Sequence, residues 1–146
     1  MQEQLDGKRQ ILAWGSGERL FGVDIKYCRE VDKNKEIVHV PHARKQIAGI
    51  VNLRGDVVTV IDLGVLLGHE KKTVSGDNVI IRLRSRTGHI ALLAEYIHDV
   101  VAVAPDQLES IPAHLGENEV RFIQAVAMTT RGLVVILDPD EILEAV

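Results

Sequence analysis

One cysteine, Cys28, occurs in 146 residues. A lone thiol cannot close an internal bridge, which removes the disulfide-framed secreted modules from consideration. Aromatic residues are almost as scarce. Trp14, Phe21, Tyr27, Tyr96 and Phe122 are all there are, too few for the stacking platforms on which single-stranded nucleic acids lie. Positive charge is not in excess either. Seventeen Lys and Arg against 21 Asp and Glu leave a formal charge of -4, the wrong sign to attract phosphate backbones. No apolar run approaches the roughly 18 residues of a membrane-spanning helix; Ile90 to Ala94 and Leu133 to Leu137 are among the longest. Met1 to Arg9 is polar and lacks the apolar middle of a signal peptide. The expectation is a cytoplasmic protein that neither binds nucleic acid nor inserts into a membrane.

What the chain does have is β-branched residues. Val and Ile supply 33 positions, and such side chains suit a pleated, half-buried surface better than a helix. Gln10 to Trp14, the turn Gly15-Ser16-Gly17 and Arg19 to Ile25 read as a hairpin. Ile25 to Val31 reads as one or two helical turns, because Lys26, Arg29 and Glu30 interrupt the alternation. Glu36 to Val40 reads as a strand ended by Pro41. Ile47 to Asp62 holds two strands meeting at Arg54-Gly55-Asp56, with Gly55-Asp56 as the turn and Leu63 to Gly68 closing as a short helix. The polar stretch Lys71 to Asn78 is the best boundary. Beyond it the pattern repeats: Val79 to Arg84, His89 to Tyr96, Asp99 to Ala104, Ala127 to Thr130 and Leu133 to Leu137. Asp138-Pro139-Asp140-Glu141 then opens a terminal helix with an acid cap and a proline in its first turn.

Chemistry is harder to find. There is no H-E-x-x-H, C-x-x-C, dinucleotide fingerprint or Ser/His/Asp order. His39 and His42 are three apart around Pro41, a spacing that puts them on opposite faces of an extended chain, so a structural or solvated role is expected. Asp24 and Asp62 follow apolar runs and are expected at strand ends, accepting backbone hydrogen bonds. Cys28 is read as a small buried hydrophobe. No enzyme, cofactor or metal site is expected.

Val23-Asp24-Ile25, then Glu30-Val31, Val40-Pro41 and the string Ile47-Ala48-Gly49-Ile50-Val51-Asn52-Leu53-Arg54-Gly55-Asp56-Val57-Val58-Thr59-Val60-Ile61-Asp62-Leu63 resemble the CheW family of bacterial chemotaxis coupling proteins. The similarity runs on through Ala91 to Val101 and Phe122 to Leu143. It implies a mostly β fold: two five-stranded β-barrels sharing an apolar seam, with short helical turns and a C-terminal helix. Residues 8-146 would form one CheW-like domain, with halves at 8-70 and 78-146 and strand exchange between them allowed for. It also implies a non-enzymatic adaptor, recruited to membrane-receptor arrays. Its partners would be the chemoreceptor cytoplasmic tip and the regulatory domain of the histidine kinase CheA, and the isolated chain is expected to be a monomer. Carried over residue by residue, the partner-binding groove would include Cys28, Glu30, Val31, Gly49, Asn52, Leu53, Arg54 and Gly55. Arg54 and Glu30, of opposite charge, are expected to pair there.

The chain departs from the family pattern at His42-Ala43-Arg44, where a second proline is frequent, and at Gly64, where an arginine is common. Ala94-Glu95 replaces a frequent Val-Asp, and Cys28 an aliphatic residue. Two rival readings stay open at this point. One is a small-molecule-binding or enzymatic β-barrel, which calls for a deep pocket with convergent polar groups. The other is the CheW-like input module of a CheV-type adaptor, against which stands the lack of receiver-like βα repeats before Val146.

Overall fold

The computed structural model describes residues 7–33, 35–69, 78–111 and 116–146, excluding the side chains of 117 and 118. The expected boundary at Lys71 to Asn78 therefore lies outside the described residues except for Asn78. Eleven strands and three short helices are present among them. The strands are β1 (Arg9–Ser16), β2 (Arg19–Asp24), β3 (Cys28–Lys33), β4 (Ile47–Leu53), β5 (Asp56–Asp62), β6 (Val79–Leu83), β7 (Ile90–Ala94), β8 (Tyr96–Val103), β9 (Leu108–Glu109), β10 (Ile123–Thr129) and β11 (Gly132–Leu137). The helices are α1 (Leu63–Leu66), α2 (Glu117–Phe122) and α3 (Pro139–Glu144).

Two sheets form, one of six strands in the order β8-β1-β2-β11-β10-β9 and one of five in the order β3-β6-β7-β5-β4. The fold is mostly β, as expected, with a sixth strand in one sheet. The compact units are not two consecutive stretches of chain. Compact units comprise Met1–Tyr27 with Ile97–Val146, and Cys28–Tyr96. The five-stranded unit is thus one continuous segment, and the six-stranded unit is assembled from what precedes and follows it. The reason lies in the pairing: β2 lies parallel to β11, Leu20 opposite Val134 and Gly22 opposite Ile136, so early and late segments share a sheet.

In the six-stranded unit Ile11, Ala13, Val103, Ala127, Val134 and Ile136 form the core. Asp24, at the end of β2, accepts from the Lys26 backbone N–H at 3.2 Å and from Arg9 Nε at 3.3 Å. Asp138 caps α3 through the backbone N–H groups of Asp140 and Glu141, leaving Pro139 at the position where a missing N–H costs nothing.

In the five-stranded unit Val51, Leu53, Val58, Val60, Ile80 and Ala91 pack together. Each such side chain withdrawn from water stabilises by about 1.5–3 kcal/mol, Ala less. Asp62 caps α1 through the Val65 N–H. The expected helix over Ile25 to Val31 is only half present: a 3-10 turn covers Ile25–Tyr27, and Cys28 already begins β3. Pairing along β6, antiparallel from Cys28↔Leu83 to Lys33↔Val79, overrides the local pattern. The expected strand Glu36 to Val40 is reduced to a single bridge, Val38 to Ile50, with N···O distances of 2.8 and 2.9 Å.

That bridge explains Gly49. Its φ of +155° disfavours a side chain, and a Cβ there would lie inside contact distance of the Val38 carbonyl oxygen. Gly49 is also buried, so its lack of a side chain is what admits the Val38 backbone. Gly49→Asp is expected to lower the stability of the isolated protein by on the order of 2–3 kcal/mol, through loss of the Val38 bridge. A melting temperature equal to wild type would show that no backbone packs on this position.

Candidate functional site

Leu53 pairs with Asp56, which leaves Arg54 and Gly55 as the two central residues of the β4–β5 turn. The turn is therefore one residue earlier than the expected Gly55-Asp56. Both central residues have positive φ, 52° at Arg54 and 89° at Gly55, the combination of a type I′ hairpin turn. The Asn52 carboxamide oxygen accepts from the Gly55 N–H at 3.1 Å. Arginine is a poor occupant of the left-handed region, which glycine and asparagine enter at less cost.

Arg54 Nε donates to Glu30 Oε1 at 3.2 Å, so the expected pair exists. It joins the β4–β5 turn to β3, strands at the two ends of the sheet order, and therefore requires the sheet to curl. What holds the curl is a residue the sequence reading passed over. Arg82 on β6 is 1% exposed. It is the cross-strand partner of Glu30, opposite a bulge in β3, and of Ala91 on β7. It shares the inner face of β6 with Ile80. Its Nη1 donates to Glu30 Oε2 at 3.4 Å, and its Nη2 donates to Asp56 Oδ2 at 2.7 Å and meets His89 Nδ1 at 2.8 Å. Since guanidinium can only donate, His89 Nδ1 is an acceptor, and the ring proton sits on Nε2, 4.0 Å from Asp56 Oδ1. The signal available in the sequence was one arginine inside Val-Ile-Ile-Arg-Leu.

The charges follow from these contacts. Burial opposes the ionised form of Glu30. A hydrogen bond shared with Asp32 and the guanidiniums of Arg54 and Arg82 outweigh it, and its carboxyl titrates below the usual range. Asp32 titrates above it, through burial and then the hydrogen bond and negative charge of Glu30. The Arg82 hydrogen bond is the main cause that lowers Asp56. Burial pushes the half-buried Cys28 thiol up, which makes it a poor nucleophile.

The eight expected site residues do not form one surface. Along β3, Cys28, Glu30 and Asp32 face inward, while Arg29, Val31 and Lys33 face solvent, so Val31 and Glu30 lie on opposite faces. Leu53 and Gly49 are buried. Asn52, Arg54 and Gly55 are exposed together at the turn. Beside them, Val38, Ile50, Asn52 and Val57, with Lys35 and Glu36, line a depression of about 340 Å³. His39 and His42 are exposed, and among the described residues no His, Cys, Asp and Glu are grouped to hold a metal ion.

Arg82→Met is expected to destabilise the protein by about 3–5 kcal/mol, because it strips a buried carboxylate of a hydrogen-bonded counterion. Arg54→Ala should cost no more than about 1 kcal/mol, since 79% of that side chain is exposed. Chemical denaturation of the two variants checks the order. Acid provides a second check. Asp56 titrates lower folded than unfolded, so its contribution is complete above the ordinary value of about 3.9 and is lost as the pH falls through the folded value. Asp56→Asn should therefore flatten the acid limb of the stability curve below about pH 4, and an unchanged limb would rule out the Arg82 contact.

Comparison with known proteins agrees with this architecture. The family model described as "CheW-like domain" matches residues 10–146. "Probable chemotaxis protein CheW" of Rhizobium etli is 25% identical over 132 residues, covering 90% of this chain and 85% of the relative. "Chemotaxis protein CheW" of Bacillus subtilis is 23% identical over 138 residues, covering 94% and 88%. The crystal structure of the scaffolding protein TtCheW from Thermoanaerobacter tengcongensis superposes with a TM-score of 0.77 at 28% identity, covering 89% of this chain and 88% of that one. With a family match over residues 10–146 and a solved relative of the same fold, the chain belongs to the family of CheW-like domains.

Proposed function

We propose that this protein is a non-enzymatic scaffold of a chemotaxis-type signalling system, coupling transmembrane chemoreceptors to the histidine kinase CheA. Its place is the cytoplasmic face of a receptor array. Membership of a family whose relatives are named chemotaxis proteins, one of them a scaffolding protein, supports the class of function.

The observation that carries the reading to particular residues is Arg54. A charged side chain four-fifths exposed, on a residue in an unfavourable backbone conformation, is available to a partner outside the fold. Around it the surface is suited to a protein partner. Val57 is 61% exposed and Val38 54%, and the depression that they line with Lys35 and Glu36 fits an apolar protein contact with a charged rim. Asn52, Arg54 and Gly55 form the proposed contact, with Glu30 behind them. Gly49 and Leu53 shape it from beneath, and Cys28 and Val31 belong to the adjoining edge strand. Such an edge carries unpaired backbone groups that a partner strand can use.

The test is reconstitution of the full chain with a receptor cytoplasmic fragment and the CheA regulatory domain, read by sedimentation and calorimetry. A ternary complex is expected. Arg54→Glu should weaken it at least about tenfold while leaving the melting temperature near wild type. Failure of the wild-type chain to bind either component would refute the coupling role.

A further inference from the structure

We propose that the loop after Pro41 and the end of α1 together form a binding pocket for a small organic phosphate, a phosphoryl group carried on an apolar body. The inference goes beyond the scaffold reading and uses none of the residues of the contact proposed above.

The pocket lies within the five-stranded unit and has a volume of about 530 Å³, inside the roughly 300–1,000 Å³ range of small-molecule sites. Its polar walls are His39, Arg44, Lys45 and His69. Ala43, Ile47 and Val65 supply the apolar ones. Among the described residues no acid lines it, and no carboxylate lies within salt-bridge distance of Arg44 or Lys45. A solvated surface cation needs no partner. What sets these two apart is that they share one concavity with two imidazoles and an apolar wall, whereas Arg9, Arg82 and Arg121 each have an acid of their own.

Hydrogen-bonded backbone builds both walls. The Ala43 N–H donates to the Val40 carbonyl at 3.3 Å, and His42 between them has a φ of 64°, the arrangement of a type II turn with proline at its second position. A second turn follows at once, closed by the Ile47 N–H on the Arg44 carbonyl at 3.0 Å. The Gln46 carbonyl then accepts from the Asp62 N–H at 2.7 Å, which ties the loop to the start of α1. On the other side α1 ends in a Schellman motif. Gly68, with a φ of 95°, donates to the Val65 carbonyl at 3.0 Å, and the His69 N–H donates to the Gly64 carbonyl at 2.8 Å. The pocket is therefore formed before any ligand arrives, and little ordering cost is left for binding.

The ligand chemistry follows from the walls. A phosphomonoester carries about −1.5 to −2 charges at neutral pH, which Arg44 and Lys45 together match, where a single carboxylate would leave one cation over. Its terminal oxygens suit a guanidinium fork, an ammonium and imidazole N–H donors. Ile47 and Val65 offer the ligand's body an apolar surface that inorganic phosphate cannot use. A formal charge of -4 over the chain opposes a long polyanion such as a nucleic acid.

The test is calorimetry on the full chain with phenyl phosphate, inorganic phosphate, benzoate and hexaglutamate, and backbone amide shifts of the labelled protein locate the site. Phenyl phosphate should bind saturably, at least about fivefold more tightly than inorganic phosphate or benzoate, and should shift the amides of 43–47 and 65–69. Arg44→Ala and Lys45→Ala should each weaken it about tenfold, and Arg44→Glu should abolish it. Melting temperatures should stay near wild type, since both side chains are exposed. Arg131→Ala, which removes the same charge from the six-stranded unit, should leave the affinity unchanged. Equal losses from Arg44→Ala and Arg131→Ala would reduce the effect to overall charge and overturn the pocket. Benzoate binding as tightly as phenyl phosphate would overturn the phosphate. Hexaglutamate binding where phenyl phosphate does not would make the occupant an acidic protein segment and overturn the small ligand. Each of these results leaves the scaffold reading standing, because that reading is decided by the receptor and kinase fragments alone.

Discussion

The guanidinium of Arg82 sits where an aliphatic side chain would be expected, on the inner face of β6 beside Ile80. Withdrawing such a group from water costs several kcal/mol unless its donors are matched, and three neighbours match them. Glu30, Asp56 and His89 each come from a different strand or its approach. The matching therefore fixes more than one charge. It requires β3 to come round to the β4–β5 turn, which places a bulge in β3, an alanine opposite Arg82 on β7 and an acid as the first residue of β5. Hydrophobic packing supplies the energy of this unit. The polar cluster specifies which curl of the sheet that energy stabilises.

Polar specificity of this kind has a characteristic weakness. If every donor has an acceptor the cluster rigidifies; if one is lost, the remaining charges are stranded in low dielectric. Asp32 shows how near the balance lies. Its Oδ2 is buried without a hydrogen-bond partner, and its carboxyl titrates above the usual range through burial and then the hydrogen bond and charge of Glu30. Glu30, the other inward carboxylate at the middle of β3, has a guanidinium on each of its oxygens.

Much of this was legible in the residues, and the illegible part has physical causes. Asp24, Asp62 and Asp138 were assigned to strand ends and helix caps because short acids following apolar runs have few other uses, and the structure puts all three there. The Arg54–Glu30 pair was expected because the family resemblance puts the two residues, of opposite charge, in one groove, and they do meet. Arg82 was not, since a pattern of alternation cannot reveal that both faces of a strand are covered. β3 was misread in part because its inward positions carry Glu30 and Asp32, so that the side facing the interior looks polar. Val38 to Ile50 is a bridge and no more, a distinction that depends on how closely two backbones approach at Gly49 and that no propensity records. The sorting of the eight groove residues into exposed, buried and opposite-facing sets likewise required register, because a shift of one residue exchanges the faces of a strand.

The continuity of the segment Cys28–Tyr96 bears on how the molecule is made. Every strand of the five-stranded unit leaves the ribosome before β9, β10 and β11 exist, and its β3–β6 and β5–β7 pairings close over moderate loops. The six-stranded unit is different. β2 must wait for β11, whose residues are about 110 positions later in the chain, and contacts of such separation form slowly because the chain must surrender its loop entropy first. Synthesis therefore favours a vectorial order in which the unit bearing Arg54 matures early, while the β1–β2 hairpin, its edge at β2 unpaired, stays the segment most in need of protection from other chains.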